Sequence, residues 1–144
     1  MVAAMFERVR FTRYALRFER AFKDDNWEPV RECFHPNARY VIAGTGSSYD
    51  GETRGRDAIV QLFQRMLNEL DRKFDRRSPR ITSFPRVSHG EIDFRWSVRY
   101  TLRGERAVVT GRSQCQLAGG EIMELRDTMV PDECARWFAL AASA

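Results

Sequence analysis

The chain has 144 residues, few lysines, two histidines, three cysteines and no long apolar run. Each shortage removes a class of function. No window approaches the roughly 18 uninterrupted apolar residues that a membrane-spanning helix needs, so no membrane role is expected. The opening MVAAMFERVRFTRY has no basic stretch followed by an apolar one, so no secretory leader is expected. Cys33, Cys115 and Cys134 are widely spaced and form no C-x-x-C pair, which argues against a zinc ribbon or a dithiol redox pair. An odd cysteine count without a leader predicts reduced thiols and a cytoplasmic location. His35 and His89 fall in turn contexts and read as exposed or capping residues. No metal-ligand cluster and no cofactor motif stand out.

The formal net charge of +4 and a pI near 9.3 raise the question of nucleic acid. The distribution argues against it. Lys23 and Lys73 are the only lysines, and the many arginines are scattered among acids rather than gathered on one stripe. The basic-aromatic pattern of a single-strand binder is missing, so no nucleic-acid partner is expected. A content of 43% hydrophobic and 31% charged residues fits a globular chain, and the length suits one domain with its own core.

The stretch GTGSSYDGETRGRDAIVQLF, from Gly44 to Phe63, looks at first like a phosphate cradle. Gly46 and Gly51 have the spacing of a P-loop, but Glu52 stands where its lysine belongs, so the charge offered to a phosphate is reversed. The dinucleotide pattern fails too, because its third glycine position is Tyr49.

Periodicity supplies the elements. Phe11, Tyr14, Ala15, Phe18, Ala21 and Phe22 recur at helical spacing. A second, short helix follows DDNW, with Asn26 as its cap, Pro29 in its first turn, and Trp27, Val30 and Phe34 on its buried side. FHPNA ends it, and Ala38–Ile42 is a strand. Ile59, Leu62, Phe63, Met66, Leu67 and Leu70 mark a helix from about Arg56 to Phe74. The period then changes to two. A strand is expected over Ile81–Val87, with Pro85 at an edge or bulge. Glu91–Leu102 is the clearest pattern: Ile92, Phe94, Trp96, Val98, Tyr100 and Leu102 alternate with polar residues. Hairpin turns at Arg103–Glu105 and AGG lead to strands Ala107–Leu117 and Ile122–Met129. A C-terminal helix begins at Pro131 and carries Trp137, Phe138 and Leu140. Helices first and a meander of strands afterwards predict an α+β fold.

The segments YALRFERAFKDDNWEPVRECFHPNARY, ETRGRDAIVQLF and GGEIMELRDTM, in this order, resemble the nuclear transport factor 2-like superfamily in its SnoaL-like branch. The resemblance covers about residues 8–130, with a C-terminal helix at about 131–143. It implies a cone: a curved antiparallel sheet wrapped on about three N-terminal helices around an interior pocket. It also implies a homodimer formed through the sheet, and it places the glycine-rich loop at the pocket mouth.

Met123, Leu125, Asp127 and Met129 share one face of the last strand. If that face points inward, Asp127 is a carboxylate on an apolar surface and must be paired, hydrogen-bonded or protonated. It is then either a structural aspartate bonded to an arginine or backbone N–H, or an acid–base group with a raised pKa. Tyr40 is the second candidate and Tyr14 the third. Phe18, Ile42, Trp96, Val98, Tyr100, Ser113, Cys115 and Leu125 are the expected pocket lining; plain core packing is the alternative for each aromatic. In the register of ketosteroid isomerases, the tyrosine and two aspartates fall on Phe18, Ile42 and Ser113. In that of limonene epoxide hydrolases, Tyr40 and Asp127 match, while Ile42, Phe94 and Trp96 replace the other polar residues. Neither of those activities is expected.

The leading expectation is a pocket for a small apolar ring compound, with cofactor-free isomerase, dehydratase or cyclase chemistry through Asp127. Tyr40 and Tyr14 would donate to an oxyanion. The alternatives are a non-catalytic ligand-binding module, or a dimeric interaction module using the polar sheet face of Arg95, Arg99, Arg112, Gln114 and Gln116.

Overall fold

The structure is a computed structural model that describes residues 2–144, with side chains for residue 5 and from residue 8 onward. Helix α1 (Val2–Asp24) leads through the single turn α2 (Glu28–Arg31) into strand β1 (Phe34–Ala43) and its hairpin partner β2 (Gly51–Arg54). Helix α3 (Arg56–Glu69) and a 3-10 turn (Asp71–Lys73) follow. The rest is β3 (Arg76–Ile81), β4 (Arg86–Ser88), β5 (Glu91–Leu102), β6 (Glu105–Ala118), β7 (Glu121–Met129) and helix α4 (Pro131–Ala142). Among the described residues no helix is long and apolar enough to cross a membrane.

The strands form one open sheet in the order β2-β1-β7-β6-β5-β3, with β4 also on β5. All neighbours are antiparallel except β1 and β7, which run parallel, so the sheet is mixed. A parallel neighbour requires a long connection, and the segment from β2 through α3 to β6 supplies it. The fold is the α+β cone: α1 and α3 lie in the concave side of the sheet. Phe63 of α3 joins the two layers, its ring 5.3 Å from Phe18 of α1 and 5.1 Å from Tyr40 of β1. Phe11 of α1 meets Phe94 of β5 at 4.8 Å.

Local differences from the sequence reading have physical causes. Phe34 opens β1 rather than closing α2. Trp27, not Asn26, stands at the start of α2, and no side chain caps it. The strand expected over Ile81–Val87 is instead two pieces. β3 begins at Arg76 and runs through Pro79, which an edge strand tolerates because its outer side has no ladder to serve. The chain breaks after Ile81, where the amides of Thr82 and Ser83 both donate to the Arg95 carbonyl.

β7 carries a bulge. Gln116 pairs with Glu124 but Leu117 pairs with Ile122, so Met123 is the extra residue. The bulge resets the alternation: Ile122 and Leu125 are buried and Met123 is exposed, which removes Met123 from the inner face expected for it.

Candidate functional site

A cavity of about 480 Å³ opens between the helices and the concave side of the sheet. Its walls follow from the two periodicities. Tyr14, Phe18 and Phe11 come from one stripe of α1, and Phe63, Met66 and Leu67 from one stripe of α3. Alternate residues of β5 supply Phe94, Trp96, Val98 and Tyr100, while α4 contributes Trp137. Against this apolar lining stand two polar clusters.

The first centres on Asp127, which β7 carries directly opposite Ser113 of β6. Two hydroxyls bind its carboxylate. Tyr40 donates to Oδ2 at 2.7 Å, and Ser113 donates to Oδ1 at 2.5 Å. The Trp96 indole N–H donates in turn to Ser113 Oγ at 2.9 Å. No cation pairs with Asp127 among the described residues. The residue is half-buried, and it lies on the cavity wall. Burial raises its carboxyl above the ordinary range, opposed by the Ser113 and Tyr40 hydrogen bonds.

This geometry reassigns the tyrosines. A phenol has one proton, and that of Tyr40 is already directed at Asp127. In this arrangement the Tyr40 proton holds the Asp127 carboxylate rather than facing the cavity as a free donor. Tyr14 differs: its side chain lines the cavity, and its phenol is not one of the two donors to Asp127. Burial, reinforced by the nearby Asp127 charge, lifts the pKa of both phenols well above 10, so both keep their protons.

The second cluster was not expected. Asp71, in the turn after α3, accepts from Arg77 Nε at 2.7 Å and from the Tyr100 hydroxyl at 3.0 Å. Arg77 also binds Glu19 of α1, with Nη1 at 2.7 Å from Oε2. All four residues line the cavity. Burial raises the Asp71 carboxyl, while the guanidinium and the Tyr100 hydroxyl pull it down. Arg77 stays cationic, since Asp71, Tyr100 and Glu19 outweigh the cost of its burial. Its side chain is only 11% exposed.

Of the expected residues, Asp127, Tyr40, Tyr14, Phe18, Trp96, Val98, Tyr100, Ser113 and Leu125 all stand on the cavity wall. Ile42 and Cys115 do not. Both have the right strand parity, but they are 2% and 0% exposed and are packed into the apolar core. Parity places a side chain on a face; how far along the cone it sits decides whether it meets space or neighbours. The glycine-rich loop is also corrected, for none of its residues lines the cavity. Thr45 and Gly46 fold it onto the Asp50 carboxylate. Gly44, at φ +81°, rests on β7 so closely that a Cβ there would lie 2.1 Å from the Met129 carbonyl oxygen. Tyr49 binds Glu69 and packs on Phe138. Among the described residues no group of histidine, cysteine, aspartate and glutamate is placed to hold a metal ion.

Asp71 did leave a signal. It follows Leu67 by four residues, so it falls on the buried stripe of the preceding helix, an acid in an apolar row. That is the irregularity that marked Asp127. Arg77 left none, because DRRSP reads as a helix-ending loop rather than a strand.

The sequence profile of the SnoaL-like domain matches residues 15–130. No curated protein matches the chain in sequence. Among solved structures, a nuclear transport factor 2-like protein of unknown function from Burkholderia pseudomallei K96243 superposes with a TM-score of 0.71 at 16% identity, over 92% of this chain and 97% of that one. A protein with a ketosteroid isomerase-like fold from Catenulispora acidiphila, in complex with trimethylamine, gives 0.65 at 14% identity, over 91% and 95%. TerC co-crystallized with polyporic acid gives 0.65 at 16%, over 90% and 95%. At these identities the likeness is one of fold.

Proposed function

The chain belongs to the SnoaL-like domain family, and from that premise we propose that it is a small-molecule pocket protein performing cofactor-free acid–base chemistry on an apolar ring compound. One observation carries the reading. Asp127 is a carboxylate on the wall of an aromatic cavity, held by two hydroxyls and by no cation. A carboxylate paired with arginine is a weak base, whereas one with a raised pKa can take a proton near neutral pH and give it back.

In the proposed step, a ring compound lies against the aromatic wall with an acidic C–H at Asp127. The carboxylate takes the proton, and the C–H electron pair moves onto an adjacent carbonyl to form an enolate. Tyr14 donates a hydrogen bond to that oxygen. Protonated Asp127 then returns the proton to a different carbon, which is an isomerisation, or to a departing hydroxyl, which is a dehydration. Relatives of this fold hold small organic molecules, trimethylamine in one and polyporic acid in another, and this supports a ligand-binding role for the cavity.

The test is exchange of ring C–H positions with deuterated solvent, followed by NMR across a panel of cyclic ketones. Asp127→Asn is expected to lower exchange by about 10²–10⁴-fold while the fold is retained. Undiminished exchange in that variant would remove Asp127 from the chemistry. The second reading is a non-catalytic binding module. It is favoured by Ile42, Phe94 and Trp96, which stand at the positions where the resemblance to limonene epoxide hydrolases would place polar catalytic groups. A ligand that binds and is recovered unchanged, without exchange, would establish it. Dimerisation through the outer sheet face belongs to the same proposal; a monomer in light scattering would count against it.

A further inference from the structure

With Asp127 ionised, the hydrogen bonds around it run in one direction. An indole N–H can only donate. Trp96 therefore obliges Ser113 Oγ to accept at 2.9 Å, which leaves the Ser113 proton for Asp127 Oδ1 at 2.5 Å. Without Trp96 the Ser113 hydroxyl would be held by Asp127 alone. With it, Oδ1 receives a fixed proton from one side, and Oδ2 receives the Tyr40 proton from another.

The indole reaches Ser113 because residue 111 has no side chain. Gly111 pairs with Trp96 across β5 and β6, and a Cβ built on it would lie 2.3 Å from Cζ2 and 2.6 Å from Cε2 of the ring. Its backbone is not in the left-handed region, so conformational freedom does not call for glycine here. The ring occupies the space that a side chain at residue 111 would fill, and its N–H meets the residue two positions farther along that strand. Trp96 and Gly111, which the acid–base reading leaves without a role, thus form one device with Ser113.

We propose that Trp96 and Ser113 are positioning residues that orient the Asp127 carboxylate through a one-way hydrogen-bond chain, and that Gly111 is the space the chain requires. Neither needs to touch the reacting atoms. They hold the carboxylate plane in one orientation, so that the lone pairs left unused by Ser113 and Tyr40 point into the cavity. The inference rests on Asp127 being the acid–base group, yet its readout does not depend on turnover.

The experiment is a ¹³C NMR titration of the Asp127 carboxyl in the full chain, with the fold of each variant checked by circular dichroism. The ionisable groups facing that carboxyl are the phenols of Tyr14 and Tyr40, neither of which titrates in the acid range used. Ser113→Ala removes a donor to the charged form and is expected to raise the midpoint by about one pH unit. Trp96→Phe keeps the aromatic packing but removes the N–H donated to Ser113 Oγ, which weakens Ser113 as a donor to Asp127, so a smaller rise is expected. Gly111→Ala should give a rise like that of Trp96→Phe by displacing the ring. Ser113→Thr keeps the hydroxyl and should restore the wild-type midpoint. In Ser113→Ala, adding Trp96→Phe should change nothing further, because the two act in series. An unmoved midpoint in Trp96→Phe, or additive shifts in the double variant, overturns the proposal. Loss of deuterium exchange in Asp127→Asn bears on the acid–base reading alone, so the two can fail separately.

Discussion

Asp71 and Asp127 stand on the wall of the same cavity, and the sheet gives them opposite company. Asp71 faces the edge strand β3, whose Arg77 clamps it to Glu19 and so ties helix α1 to the rim of the sheet. Asp127 sits on β7, between β1 and β6, and its hydrogen-bond partners on those strands are a tyrosine and a serine. One carboxylate has a guanidinium at 2.7 Å and the other has only hydroxyl protons. The difference separates an ion pair from a carboxylate held by neutral donors alone. A buried ion pair is costly to break, while a carboxylate held by neutral donors is free to change its charge.

The largest expected effect tests the clamp. Arg77→Met leaves Asp71 and Glu19 without their cation. It should destabilise the fold by about 3–5 kcal/mol in urea denaturation at neutral pH. A loss below about 1 kcal/mol would show that Arg77 is not what makes Asp71 tolerable. The deficit should shrink in acid, where Asp71 can take up a proton.

Next in size is Tyr40→Phe, which removes one of the two donors to Asp127 and packs nearly the same ring against Phe63. A loss of about 1.5 kcal/mol is expected in the same denaturation measurement. A rise in the Asp127 midpoint should accompany it, since the donated hydrogen bond favours the charged form. No rise would mean that Tyr40 does not hold the carboxylate.

The smallest effect has the most informative sign. The folded pKa of Asp127 lies above its unfolded value, so the folded state binds the extra proton between the two. The stability that Asp127 contributes is fully present below the unfolded value and is lost as pH rises through the folded one. Asp127→Asn cannot ionise. Its stability relative to the wild type should therefore improve as pH rises from about 4 to 7, read as melting temperature against pH. The opposite slope would show that the Ser113 and Tyr40 hydrogen bonds outweigh burial at Asp127. Asp93, which the Arg112 guanidinium holds below the ordinary range, gives that opposite sign and serves as an internal contrast.

The two carboxylates were unequally legible. Asp127 could be found because β7 alternates and an acid interrupts its apolar face. The inference survived the bulge at Met123 because the bulge lies before Leu125, and from there the alternation runs unbroken through Asp127 and Met129. Asp71 and Arg77 make a pair only across a strand boundary that periodicity misplaced. β3 is an edge strand only six residues long with a proline in it, and four of its six residues are arginine, serine or arginine again, so no apolar alternation marks it. The long, half-buried β5 announces itself because one whole face must meet the core and the other must not.

What the sequence determined by itself were the periods: a helical stripe on α1 and α3, strict alternation on β5, and an acid on the inner face of β7. These are local properties, fixed by where apolar side chains recur along the chain. What the tertiary structure decided was company. It placed Ile42 and Cys115 in the packed core and Ser113, two residues from Cys115, on the cavity wall. It turned the Tyr40 proton toward Asp127 and brought Arg77 to Asp71. The reason is that parity is set by adjacent bonds, whereas a partner is set by contacts between residues as much as 87 positions apart, which only the closed packing of helices in the sheet brings within a hydrogen bond.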